Sequence, residues 1–472
     1  MTHESSSSSV VTGIPIHDRR RPIPSCPLSP SPLFLRASNA YAVTSVLSSL
    51  SAAEPTVNFF TVAHAQACRA RSARQKEGRT RGTQFQMADC MQEWPEPVVR
   101  VQALAESGLS VIPSCYVKPP CDRPAPAPAP TMAPPAPAVH PRKKEPSSDA
   151  IASIPVVDLG ELLAADGAVA TVTEAVAAAC RDWGFFQVVN HGVRPELMRA
   201  AREAWRGFFR RPPAEKQRYA NSPRTYEGYG SRLGVQRGAV LDWGDYFFLH
   251  LAPEAAKSTP RFWPAQPSNC KDVSEEYGRE VVRLCELLMR VLSVSLGLDE
   301  AHLQRAFGGA ECGATLRANY YPRCPQPDLT LGLSAHSDPG ALTVLLADVL
   351  VRGLQVRRAA ADDWVTVQPV RDAFIVNVGD QVQILSNSVY KSVEHRVVVN
   401  AEEERISLAL FYNPKGDVPI APAPELVAAA SLPALYPTMT FDEYRLYVRN
   451  KGARGKAQIE ALKGQGTPES QL

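Results

Sequence analysis

No stretch of about 18 consecutive apolar residues occurs in this 472-residue chain, so a membrane-spanning helix is excluded on length and the protein is expected to be soluble or peripheral. There is no C-x-x-C pair either. The ten cysteines, at positions 26, 68, 90, 115, 121, 180, 270, 285, 312 and 324, lie scattered. That pattern suggests neither a zinc knuckle nor a disulfide framework, and it fits free thiols in a reducing compartment, which points to the cytoplasm. Internal repeats and a nucleotide-binding glycine loop are also missing. Strong charge of one sign is lacking where it would matter: residues 1–86 hold ten Lys/Arg against four Asp/Glu, leaving 41 against 44, about −3, for residues 87–472. The folded part is therefore not a nucleic-acid binder on electrostatic grounds.

Proline, by contrast, is abundant, and 42 prolines must cluster because helices and central strands exclude them. Residues 1–86, rich in Ser and Arg and without sustained periodicity, read as a disordered extension. It resembles an organelle transit peptide, but Met87 opens MADCMQEWPEPVVRVQALAESG, which looks like a natural protein start. The alternatives are an organelle destination or an over-extended gene model. Residues 87–118 form an N-terminal segment with an amphipathic helix expected over Glu96 to Gly108, its apolar face made of Val98, Val101, Leu104 and Ala105. Residues 119–150, with PAPAPAP and APPAPA, read as an extended spacer rather than an SH3-type ligand.

The main domain begins near residue 151. Over 151–310 the patterns predict a short strand at Ile154 to Val157, helices over 166–183, 195–218 and 273–297, and a buried strand from Phe185 to Val189. From Leu316 onward the runs LRANYYP, ALTVLLAD, GLQVRR, WVTVQPV, AFIVNVG, VQILSN, SVEHRVVVN and RISLALFYNP follow one another between Gly, Pro, Asp and Asn. Short strands at that even spacing indicate a β-sandwich or jelly roll over 311–455. Residues 456–472 are expected to be a flexible tail.

Within AHSDPG, His336 and Asp338 stand at i and i+2, so on a strand they would point to one face. His395, in SVEHRVVVN, follows Asp338 by 57 positions, far enough for the chain to cross the sandwich and return. Two imidazoles and one carboxylate on one face of a metal leave three positions open, the arrangement associated with iron(II) oxygenases. Arg405 and Ser407 stand ten and twelve residues beyond His395 on RISLALFY. A guanidinium fork with a hydroxyl beside it suits the distal carboxylate of a dicarboxylic co-substrate. His191, His250 and His302 carry no such context and read as surface or structural groups.

H-x-D followed by H and then R-x-S, together with VVNHGV, NYYPRCPQPDLTLGLSAHSDPGALTVLL, VNVGDQVQILSN and YKSVEHRVVVN, resembles the plant 2-oxoglutarate/iron(II)-dependent dioxygenases over residues 152 to about 455. The resemblance implies an α+β fold, a double-stranded β-helix (jelly roll) core flanked by helices. It makes His336, Asp338 and His395 the iron(II) ligands and Asn319, Tyr321, Arg405 and Ser407 the 2-oxoglutarate contacts. It implies O2 as the second co-substrate, oxidative decarboxylation to succinate and carbon dioxide, ascorbate as a sustaining reductant, and a monomer. Arg317, Asn319 and Tyr321 alternate on one strand, so all three should face one cavity. Ser388 departs from the wider pattern, which often has Gly at this turn.

The segments EWPEPVVRVQALAESG, YANSPRTYEGYGSRLGV, LDWGDYFFLH and PTMTFDEYRLYVRNKG resemble the jasmonate-induced oxygenases, which hydroxylate jasmonic acid at carbon 12 and so lower defence signalling. Thr440 with Glu443 makes a capping box, and Gly452 follows the helix end. Phe441, Arg445 and Arg449 share one face of that helix. With Arg317, the two helical arginines could clamp a small-molecule carboxylic acid while Phe441 covers its apolar body. The competing reading makes this a solvated face in which Asp442 occupies Arg445. Alternatives for the whole chain are a flavonoid oxygenase of the anthocyanidin synthase kind and a catalytically silent hormone-binding protein.

Overall fold

The computed structural model describes residues 93–124, 154–163, 169–358, 363–451 and 455–464. The extension before Met87, nearly all of the proline-rich spacer, Gly452 and the last eight residues lie outside them. In chain order the strands that build the two main sheets are β1 (Val156–Asp158), β2 (Phe185–Val189), β3 (Gly228–Gly230), β4 (Asp245–Ala252), β5 (Gly313–Tyr321), β6 (Leu333–His336), β7 (Leu342–Leu346), β8 (Leu354–Arg358), β9 (Asp363–Thr366), β10 (Phe374–Val378), β11 (His395–Val397) and β12 (Arg405–Asn413). Eight of them form one sheet in the order β1-β2-β10-β7-β12-β5-β4-β3; β6-β11-β8-β9 form the other. This mixed helix and sheet architecture is the α+β jelly roll expected from the sequence.

Period-two alternation decides the layering, because successive side chains leave a strand on opposite faces. On β12, Ile406, Leu408, Leu410 and Tyr412 join the large core cluster, as do Leu316, Ala318 and Tyr320 on β5 and Phe247 and Leu249 on β4. That cluster also takes Val176 and Cys180 from α2 (Val169–Asp182), Trp205 and Phe208 from α3 (Pro195–Phe209), and Leu284 and Leu288 from α4 (Cys270–Ser295), so helices cover this face. The opposite face of the large sheet meets the small sheet: Phe185 and Ile375 pack with Leu354 and Val356. Both faces of the central strands are thus buried, which is why they read as near-continuous apolar runs.

Several expectations change. The helix predicted over 195–218 is two, α3 and a short helix Pro213–Gln217, because Pro212 and Pro213 cannot continue the first while Pro213 suits the opening turn of the second. VQILSN is not a strand; its first four residues end a helix, α5 (Asp380–Leu385), all six residues of which are buried, so no polar face revealed its period. The sheet does not begin at Leu316, since β3 and β4 precede α4 and join its edge. The N-terminal helix, α1 (Val101–Glu106), is shorter than expected: Arg100 is still extended, and the carboxylate of Asp245 accepts from the first amides, Val101 N at 2.9 Å and Gln102 N at 3.0 Å. The helix α6 (Phe441–Lys451) has its capping box, with Glu443 accepting from Thr440 N at 2.8 Å and Thr440 Oγ1 from Glu443 N at 3.2 Å. Of the tail expected to be flexible, residues 457–460 form a helical turn that buries Ile459, with Leu462 close behind, so apolar packing holds the described part in place. Ser388 adopts φ +68°, the left-handed conformation that favours glycine at this turn.

Candidate active site

The short strand β6 pairs antiparallel with β11, and the register sets His336 directly opposite His395. The ring centroids lie 4.2 Å apart. Asp338 is not on the strand as the i, i+2 argument supposed. It stands two residues past the end of β6, in a loop held by the start of α5, whose Asp380 N and Gln381 N donate to the carbonyls of Asp338 (2.8 Å) and Gly340 (3.0 Å). The loop still brings the carboxylate to the pair: Oδ1 lies 3.5 Å from Nε2 of His336 and 3.7 Å from Nε2 of His395. Among the described residues these three are the only group of three or more His, Cys, Asp or Glu whose ligand atoms converge, all within 4.8 Å of one another.

Each member is oriented by its other polar atom. Nδ1 of His336 lies 2.8 Å from the Ser334 carbonyl and Nδ1 of His395 lies 3.2 Å from that of Val393. Those contacts require Nδ1–H, which leaves both Nε2 lone pairs directed at the centre. Oδ2 of Asp338 accepts from Thr343 Oγ1 at 2.5 Å and Asn377 Nδ2 at 2.8 Å, so Oδ1 alone faces the imidazoles. Thr343 and Asn377 are register partners on β7 and β10. Sequence reasoning missed both; the signal was a polar residue inside an apolar run, ALTVLL and AFIVNVG, at a position where alternation points between the sheets.

Electrostatics match this geometry. Burial and the neighbouring His336 push His395 down to about 4, so its imidazole is neutral at physiological pH. Burial alone would raise Asp338, but the two imidazoles outweigh it and hold the carboxyl below the usual range. Burial likewise opposes a charge on His336, yet the Asp338 carboxylate overcomes it and raises the group above its ordinary value. One carboxylate and two imidazoles whose Nε2 atoms face it suit a divalent transition metal such as iron(II), whose charge would replace the proton that Asp338 favours on His336.

Beside this centre the β5–β12 register brings together residues 80 or more positions apart: Tyr321 opposite Arg405, Asn319 opposite Ser407, Arg317 opposite Ala409. Arg405 and Ser407 are buried, with Arg405 Nη1 3.4 Å from Ser407 Oγ and its guanidinium 5.4 Å from the Tyr321 ring centroid. Buried Nε atoms of Arg405 and Arg317 and Oδ1 of Asn319 have no partner. Unpaired buried polar atoms are costly, so their presence on these neighbouring strands fits a polar co-substrate. Arg317, Asn319 and Tyr321 line one cavity together with Ser231, Asp242 and Tyr246.

The residues expected to clamp a substrate each have contacts of their own. Arg317 lies over the Tyr246 ring, 4.4 Å from its centroid. Arg445 pairs with Asp442 at 2.8 Å and lies over Phe441, which is itself buried in the core. Arg449 donates to the Pro223 carbonyl and lies over Tyr226. His191 is structural, its Nδ1 accepting from Val193 N and its Nε2 facing the Asp372 carbonyl at 3.0 Å.

Comparison with known proteins agrees with this geometry. Residues 312–414 match the 2OG-Fe(II) oxygenase superfamily, and residues 154–266 match the N-terminal region of non-haem dioxygenases in morphine synthesis. Jasmonate-induced oxygenase 1 of Arabidopsis thaliana is 55% identical over 370 residues, 78% of this chain and 87% of that protein. Jasmonate-induced oxygenase 2 of the same plant is 56% identical over 372 residues, 79% of this chain and 94% of the relative. The crystal structure of JOX2 in complex with 2OG, Fe and JA superposes with a TM-score of 0.69 at 54% identity, covering 79% of this chain and 99% of that one.

Proposed function

The chain belongs to the 2OG-Fe(II) oxygenase superfamily and is an oxidoreductase of that kind; from that premise we propose that it hydroxylates jasmonic acid, giving 12-hydroxyjasmonic acid. The observation that carries the reading is the 54% identity, over 99% of its length, to a protein crystallised with 2OG, Fe and JA. His336, Asp338 and His395 hold the iron, and Arg405 with Ser407, aided by Asn319 and Tyr321, receives 2-oxoglutarate. Bound together, iron(II) and 2-oxoglutarate supply the oxidising power to insert one atom of O2 into a C–H bond, the co-substrate leaving as succinate and carbon dioxide.

The protein's own work is positional. Thr343 and Asn377 keep the Asp338 carboxylate turned toward the two imidazoles. The buried Arg405 offers a fork of donors where water is excluded, so a carboxylate bound there is held by charge-assisted bonds stronger than at an exposed surface. Further along β5, Arg317, joined by Arg445 and Arg449 as they turn from Asp442 and the Pro223 carbonyl, receives the carboxylate of the substrate. Phe441, buried in the core, lies beneath Arg445 and supports its guanidinium rather than touching the substrate.

The test is a comparison of acid with ester. Each charge-assisted bond contributes about 1.5–3 kcal/mol, roughly ten- to a hundredfold in affinity. Product analysis by mass spectrometry should therefore show jasmonic acid turned over far better than its methyl ester, with KM for the acid raised by that factor in Arg445→Ala and Arg449→Ala. Equal turnover of acid and ester by the unmodified enzyme would overturn the clamp and return a flavonoid substrate to first place.

A further inference from the structure

The strand that carries His336 is weakly held by its own sheet. Four residues long and only half-buried, β6 is an edge strand whose one partner in that sheet is β11, and the pairing is irregular between His395 and Val397. A metal ligand needs its orientation set to a fraction of an ångström, which a short edge strand does not by itself provide. Beyond a single bridge from Gly455, whose amide donates to the Ala335 carbonyl at 3.1 Å, the further restraint comes from outside the jelly roll. Lys118, in the N-terminal segment and 3% exposed, places its ammonium 2.7 Å from Asp242 Oδ1 and 2.9 Å from Ser334 Oγ. The Ser334 hydroxyl donates to the same Asp242 oxygen at 2.6 Å, and the Ser334 carbonyl is the group that faces His336 Nδ1 at 2.8 Å. Lys118 is anchored in turn by its own amide, which donates to the Leu329 carbonyl at 2.8 Å.

We infer that Lys118, Asp242 and Ser334 form a half-buried positioning unit that sets the orientation of His336, so that the N-terminal segment is part of the metal site's support. Lys118 precedes both regions matched by family models, so this support is not contained in either. The unit orients rather than reacts: the ammonium and the hydroxyl share one carboxylate oxygen, which pins the Ser334 main chain and with it the carbonyl that selects the Nδ1–H tautomer of His336. Removing the ammonium would leave Asp242 without its cation beside the strand, and the carboxylate would seek another donor at the strand's expense.

This inference rests on the assignment of His336, Asp338 and His395 as metal ligands, and cobalt(II) binding to the full chain separates the two. Titration of the metal-free protein with Co(II), followed by calorimetry and by the visible spectrum, reads both affinity and ligand arrangement. Lys118→Met, which keeps the shape of the side chain, and Ser334→Ala should each weaken Co(II) binding roughly 10- to 100-fold. Their cobalt spectra should also shift, a change that a loss of melting temperature alone would not produce. Lys118→Met/Asp242→Asn, which removes both charges, should bind Co(II) more tightly than Lys118→Met. Should Lys118→Met fail to fold, Ser334→Ala, which deletes one hydroxyl, carries the same expectation. If the unmodified protein binds Co(II) in a His336-dependent way while Ser334→Ala binds it equally tightly with the same spectrum, the positioning unit is overturned. If the unmodified protein takes up no Co(II), or His336→Ala takes it up equally well, the metal assignment falls and this inference with it.

Discussion

Two histidines show how environment assigns opposite duties to one residue type. His395, 10% exposed in its side chain, packs edge-on against Phe185 and turns Nε2 toward Asp338 Oδ1, 3.7 Å away, as the proposed metal site requires. His191 uses both ring nitrogens internally, lying against Phe374 with Val193 N donating to Nδ1 and Nε2–H donating to Asp372. Burial lowers His191 below its ordinary value of 6.5. The folded group therefore resists a proton that the unfolded chain accepts, so stability is fully present above about 6.5 and is lost as pH falls through the lower folded value. Melting temperature followed against pH should show this acid-side loss, and His191→Gln should flatten it. At neutral pH the same variant should cost about 1–3 kcal/mol, because a buried partner is left unpaired. An unchanged pH profile in His191→Gln would assign the loss to other groups.

At the scale of elements, the junction of β10 with α5 is where fold and chemistry meet. A Cβ added to Gly379 would come within 2.3 Å of the Gly340 carbonyl oxygen and 3.1 Å of that of Asp338. The conformation of Gly379 is ordinary extended backbone, at φ −96°, so space rather than strain requires glycine. Gly379→Ala should destabilise the protein by about 1–3 kcal/mol through overpacking. Because the atoms that must move belong to the loop carrying Asp338, metal affinity should fall at least about tenfold, as for other changes to groups that orient a ligand. Calorimetric metal titration beside a thermal melt checks both; normal affinity would mean the loop adjusts without moving the carboxylate.

For the whole molecule, the prediction concerns residues 1–86, rich in Ser and Arg and poor in acids. Segments of that composition bury little apolar surface. A chain beginning at Met87 should keep the melting temperature and the turnover of the full chain; a large drop in melting temperature would show that the extension contributes to the fold. Mass measurement of the N-terminus of the protein isolated from its native tissue separates a cleaved transit peptide from a chain that starts at Met87. No helix among the described residues is long and apolar enough to cross a membrane.

Local rules were enough for much of this. Alternation on β5 and β12 is a property of the strand itself, so RISLALFY and LRANYYP already showed which residues share a face, and the H-x-D, H and R-x-S spacing already named the groups that converge. The capping box of α6 was legible for the same reason, since its partners are three residues apart. Only the tertiary structure decided what depends on distant pairing. The register between β6 and β11 set His336 against His395, the start of α5 carried Asp338 past the end of its strand, and β7 with β10 supplied Thr343 and Asn377. VQILSN was misread because a segment buried on every side shows no period, and Lys118 was invisible because its partners lie 124 and 216 residues away. Short-range periodicity is written in neighbouring residues, whereas the buried polar contacts that orient a ligand arise when separate segments pack, and no local pattern records which of them will meet.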